Sequence, residues 1–163
     1  MGRKLMTNND YQEAIRVLNV LLRFDNNAYE GYFLRGIAKY NLDDLLGADA
    51  DFTNAVSLNP VFTGAFYYRA ITRTRLGNYD DALNDFKQAI ELRAGLPDPY
   101  YSRGVTRLLN QQFKLAIEDF DKYIRYEKRH TRLCRPCCRD CGSQRAACEG
   151  SPYPHIQGKR PSR

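Results

Sequence analysis

The first 128 residues contain no cysteine, no histidine and no tryptophan. Those absences exclude a disulfide framework, a zinc knuckle and histidine-based acid–base catalysis from most of the chain. A glycine-rich phosphate loop is missing as well, so neither an enzyme nor a nucleotide-binding protein is expected, and no cofactor. No run approaches the ~20 apolar residues of a membrane-spanning helix, and the N-terminus lacks an apolar secretory core. A soluble chain, cytoplasmic by default, is the expectation. An excess of charge of one sign is also lacking: residues 1–128 carry 17 Lys or Arg against 17 Asp or Glu. The whole excess of the chain, 8 basic against 2 acidic residues, falls in 129–163, together with all five cysteines.

What the chain does have is self-similarity. In residues 66–92 the set Ala70, Ala82, Phe86 and Ala89 has the spacing of contact points between two helices of a hairpin. The same set recurs upstream as Gly36, Ala48, Phe52 and Ala55, and downstream as Gly104, Ala116, Phe120 and Tyr123. A fixed period of about 34 with small-residue contacts marks an array of helix–turn–helix units. With Phe66 and Tyr79 added, the pattern resembles the tetratricopeptide repeat family, departing from it where Ala94 stands in place of the usual proline. The resemblance covers roughly 1–128 and implies an all-α fold, a tetratricopeptide-type helical-hairpin solenoid wound as a right-handed superhelix.

The expected layout is a partial repeat at 1–28, full repeats at 29–62, 63–96 and 97–128, and a basic Cys/Pro-rich tail at 129–163. In the partial repeat, Asn9-Asp10 supplies a cap and Tyr11, Ala14, Leu18, Leu21 and Leu22 an apolar face. Its first helix starts late, which suggests a piece of a longer array. Asn59-Pro60 stops one helix, because proline disfavours helical geometry in the residue before it. Gly77 suits a positive φ at a helix end, with Asn78 as the next cap. Pro97-Asp98-Pro99 reads as a stop, a cap and a first-turn proline.

Two further periodic sets concern charge. Arg35, Arg69 and Arg103 stand where the resembled family is apolar, and Asp51, Asp85 and Asp119 recur with them. Both are absent together from the partial repeat, as Met1 and Val17. The joint pattern predicts structural ion pairs, with the same-repeat and next-repeat partners both open. Lys39, Arg73 and Arg107 form a second basic set with no acidic set assigned, and are expected to be solvated or snorkelling.

The resemblance implies that the first helix of each hairpin lines a concave groove. The partner-binding residues this picks out are Phe33, Ile37, Tyr40, Tyr67, Ile71, Tyr101 and Val105. The lining is aromatic and aliphatic. Phe33, Tyr67 and Tyr101, with Ile37, Ile71 and Val105, occupy positions where some family members hold a terminal carboxylate with polar and basic groups. That clamp is therefore not expected. The predicted function is a protein–protein interaction scaffold that takes a peptide or helical partner by shape and apolar contact.

The tail carries Cys134, Cys137, Cys138, Cys141 and Cys148, His130 and His155, and four of the seven prolines. Its composition predicts disorder, with no helix longer than about three turns. Cys-x-x-Cys-Cys-x-x-Cys has zinc-like pairs but no loop between them, so no metal is expected. The alternative function is a metal- or nucleic-acid-binding protein acting through this tail, and nucleic acid is the weaker partner class because no aromatic residues interleave the arginines. Its abrupt Arg, Cys, Pro, Gly and Ser content also fits a shifted reading frame. With few apolar residues to cover Tyr123, Ile124 and Tyr126, the chain is expected to self-associate end to end or to be only marginally stable.

Overall fold

The computed structural model describes residues 10–92 and 98–140, and the described residues are all helix and turn. Seven helices follow in order: α1 Tyr11–Phe24, α2 Tyr29–Asn41, α3 Leu45–Leu58, α4 Thr63–Arg75, α5 Tyr79–Leu92, α6 Asp98–Leu109 and α7 Phe113–Asp140. Helices α2/α3, α4/α5 and α6/α7 are the three full hairpins, whose first and second members are called A and B below. Helix α1 is the B member of the partial repeat. The first helix expected for that repeat, with Met1 and Gly2, lies outside the described residues, as do Ala94, Gly95 and Pro97.

Small residues decide how closely A and B approach. Ala48, Phe52, Ala55, Ala70, Ala82, Phe86 and Ala89 are all fully buried. A Cβ built on Gly36 would stand 2.6 Å from Phe52 Cε1, and one on Gly104 2.8 Å from Phe120 Cε1, both shorter than real contacts. The ring of each B helix thus lies flat against the A-helix backbone.

The A-to-B turn is the same in all three hairpins. Asp43, Gly77 and Gln111 take φ of 66°, 83° and 59°, the left-handed region. The Gly77 N–H donates to Thr74 O at 3.2 Å and the Asn78 N–H to Arg73 O at 2.9 Å, and the flanking hairpins repeat both bonds. That pair of bonds is a Schellman motif, which satisfies carbonyls left open at the helix end. Asp10 and Asp44 then cap the B helices by accepting from the Glu13 and Gly47 N–H groups at 3.3 and 3.0 Å.

The chain divides into two units, residues 1–127 and 128–163. The array belongs to the first. In the second the described part is Lys128–Asp140, which is helical. The helix runs past 128, the boundary that composition set and beside which the two units divide; most of the tail, expected to be mostly disordered, lies outside the described residues. Residues 141–163, with Cys141, Cys148 and His155, lie outside the described residues.

Candidate functional site

The curvature of the array identifies its inner face. Helix α2 touches α4 and α4 touches α6, whereas α1, α3 and α5 do not touch one another. The A helices are thus the closer-spaced layer, and their outward sides form the concave surface.

Ring packing sorts the aromatic residues along it. Phe33 is engaged on several sides, with centroids 4.8 Å from Phe62, 5.6 Å from Tyr68 and 5.9 Å from Phe52. Tyr67 lies edge-on to Phe86 at 6.0 Å and to Tyr68 at 5.7 Å, and its hydroxyl is 3.1 Å from Ser102 Oγ. Burial raises the Tyr67 phenol above its ordinary pKa, partly offset by that hydrogen bond. Tyr40 lies under the Arg75 guanidinium, 5.0 Å from centroid to Cζ. Ile37 is partly buried. Tyr101 differs: it packs against Phe120 and Tyr123 at 5.9 and 5.3 Å, yet 51% of it stays exposed.

Between α4 and α6 the face opens into a cleft of ≈ 180 Å³, lined by Ile71, Thr74, Arg75, Phe86, Tyr101, Ser102, Val105 and Thr106. Of the residues picked out from sequence, Ile71, Tyr101 and Val105 meet here. Phe33, Ile37, Tyr40 and Tyr67 do not line it. Phe86, Ser102 and Thr106 were missed, because the spacing rule marks Phe86 as core and carries no information on depth. Their signal was polarity at a buried position: Thr72 and Thr106 are fully buried where the first full repeat has Ala38. Thr106 Oγ1 donates to Ser102 O at 3.0 Å, Thr74 Oγ1 to Ala70 O at 2.9 Å, and the two hydroxyls lie 2.9 Å apart.

The charged ladders sit between the helix layers. Arg35 Nε and a terminal nitrogen donate to both carboxylate oxygens of Asp51 at 2.9 and 2.6 Å. Arg69 meets Asp85 at 2.9 and 2.6 Å, and Arg103 meets Asp119 at 2.8 and 2.6 Å, in the same two-pronged form. Every pair is within one repeat. Each of these arginines also lies over the ring three residues before it, Tyr32, Phe66 or Tyr100.

The second basic set is not solvated. Lys39, Arg73 and Arg107 reach the same carboxylates, Asp51, Asp85 and Asp119, at 2.8, 2.9 and 2.8 Å. No separate acidic set was visible in the sequence because one carboxylate per repeat serves two cations. Arg73 Nε also donates to Asp49 of the preceding repeat at 2.8 Å. One repeat on, Leu83 stands in Asp49's place, and Arg107 Nε is buried without a hydrogen-bond partner. Burial lowers the pKa of Arg107 from its ordinary value. Among the residues whose side chains are described, no three of His, Cys, Asp or Glu are placed to hold a metal ion. No described helix is long and apolar enough to cross a membrane.

Comparison with known proteins agrees with this geometry. Residues 71–111 match the family described as TPR repeat. No curated protein sequence matches the chain. Among solved structures, a crystal structure of MamA superposes with a TM-score of 0.77 at 23% identity, covering 80% of this chain and 77% of that one. A MamA fragment beginning at its residue 41, from Desulfovibrio magneticus, gives 0.75 at 20% identity over 78% and 72% of the two chains. The first TPR of Spaghetti (RPAP3), bound to an HSP90 peptide of sequence SRMEEVD, gives 0.66 at 23% identity over 68% and 87%. At these identities the likeness is one of fold.

Proposed function

We propose that this array of tetratricopeptide repeats is a protein-interaction scaffold that binds a peptide or helical segment along its A-helix face, by apolar contact and without a cofactor. The observation that carries the reading is Tyr101, a large aromatic half exposed at the mouth of an apolar cleft on the inner side of the curve. Interface aromatics of this kind supply area and a hydroxyl handle at low entropic cost. A structural neighbour that holds a peptide supports the same class of partner. The charged groups that catalysis would need are engaged in the ladders, which supports a binding role over an enzymatic one.

Replacement of Tyr101 by Ala in the full chain tests the reading, with the partner captured by pull-down and then titrated. Affinity is expected to fall by about 2 kcal/mol or more, with a smaller loss of folding stability. Tyr67→Ala should do the reverse, because that ring packs on Phe86 and Tyr68. Unchanged affinity in the Tyr101 variant would refute the assignment.

A second reading concerns the last helix. Phe113, Ile117 and Ile124 of α7 are 58%, 62% and 45% exposed, while their counterparts one repeat earlier, Tyr79, Leu83 and Ile90, are partly buried. Such a face supports self-association through the end of the array.

A further inference from the structure

We infer that the cleft between α4 and α6 is an anchor pocket for one aliphatic or aromatic side chain of the partner, and that Arg75 at its rim reads an acidic residue next to that anchor. The inference rests on the groove reading above and gives it a chemistry.

Size sets the first limit. The cleft measures ≈ 180 Å³, and an apolar cavity of about 150 Å³ accommodates a benzene ring. One Leu- or Phe-sized group therefore fills it. Its accessible walls are Ile71, Val105 and the ring of Tyr101, while Phe86 beside them is fully buried.

The polar residues set the second limit. Thr74 and Thr106 have two hydroxyl protons between them and three contacts to serve: two backbone carbonyls and each other. Neither hydroxyl has a proton to spare, so a carboxylate or carbonyl entering there would meet only oxygen lone pairs. An acceptor entering the floor would be left unsatisfied, at a cost that an apolar group avoids. Ser102, whose hydroxyl is paired with that of Tyr67, is the one other aliphatic hydroxyl on the lining, so an acid on the ligand finds a charged partner only outside the cleft.

Outside stands Arg75, the only charged side chain among the lining residues. Tyr40 supports its guanidinium from below, and one terminal nitrogen donates to Asp43 Oδ1. The guanidinium fork has five N–H donors, so a second carboxylate can be held beside the first. The equivalent positions in the other full repeats are Asn41 and Leu109, which carry no charge. Among the three full repeats the cation thus occurs once at this position and fixes the register of an acidic residue against the anchor.

Three end-capped, fluorescein-labelled peptides test this: a leucine flanked by glutamates, a leucine flanked by lysines, and an alanine flanked by glutamates. Each is titrated into the full chain by anisotropy, with amide chemical shifts to locate binding. The acidic leucine peptide should shift α4 and α6 and bind about fivefold more tightly than its lysine counterpart, the scale of one exposed ion pair. It should exceed the alanine peptide by about tenfold, the scale of the buried methylenes removed. Arg75→Gln should bring the acid-to-base ratio close to one. Asp43→Asn, which suits the left-handed turn, should raise affinity for the acidic peptide by about twofold. Equal binding of acidic and basic peptides, no loss on leucine removal, or shifts away from α4 and α6 would overturn the inference while leaving a binding face in place. If no peptide binds the A-helix face at millimolar concentration, the groove reading fails and this inference with it.

Discussion

At the residue scale the unit of construction is a carboxylate shared by two cations. Asp85 is 4% exposed and faces Arg69 and Arg73 together, so removing it leaves two guanidinium groups without their acceptor. Asp85→Ala is expected to cost about 3–5 kcal/mol in a urea titration, the range for breaking one side of a buried pair. The neighbouring cations separate more finely. Lys39 shows that an ammonium at this position holds both the Asp and a backbone carbonyl, Gly47 O at 3.4 Å. Arg107→Lys loses only a nitrogen that has no partner and should be near neutral. Arg73→Lys loses the bond to Asp49 and should cost about 1.5–3 kcal/mol, as for a hydrogen bond to a charged group. Equal costs for the two changes would show that the Arg73–Asp49 bond adds no stability. Tyrosines set the alkaline limit. Burial raises the phenols of Tyr67 and Tyr68. The unfolded chain gives up these protons near pH 10 and the folded chain only above it. Stability should be complete below about pH 10 and fall as pH rises through the gap between the unfolded and folded pKa values. Tyr68→Phe should flatten that fall in melts taken across the range.

At the element scale the three A-to-B turns offer a natural comparison, since one has glycine at the left-handed position and two do not. Gln111→Gly removes the steric cost of a side chain at φ 59° and should stabilise the α6/α7 hairpin by about 0.5–1 kcal/mol. Gly77→Ala should destabilise the α4/α5 hairpin by a similar amount. A chemical melt that reverses either sign would refute this account. The helices themselves were legible in the sequence, because small residues and rings at a fixed period reflect a contact geometry that every hairpin shares. Two things were not. The same Asp serving Lys39 and Arg35 cannot be seen in a pattern that assigns one partner to each charge. The depth of the cleft depends on Thr106 and Ser102, whose roles come from the neighbouring helix and not from their own spacing. Helix α7 extends to Asp140, beyond the point where the period of the repeats ends and so beyond what that period marks.

At the scale of the whole molecule the exposed side chains of α7 are the ones expected to set solution behaviour. A charge at Ile117 lies on the face that the preceding repeats cover, so Ile117→Glu should abolish any concentration-dependent growth in light scattering and leave the melting curve nearly unchanged. A chain that is already monomeric at high concentration would show that this face needs no cover.

The two joints between full repeats differ in chemistry. Arg73–Asp49, Arg75–Asp43 and the rings of Phe33 and Phe52 against Tyr68 link the first pair, whereas the second carries hydroxyl and amide contacts, Tyr67 to Ser102, Thr74 to Thr106 and Asn110 to Asp80. Added salt screens the exposed charges of one joint and leaves the hydroxyl contacts of the other. Mechanically the array is expected to behave as a short spring whose joints are made of different materials, with ionic strength softening the first more than the second.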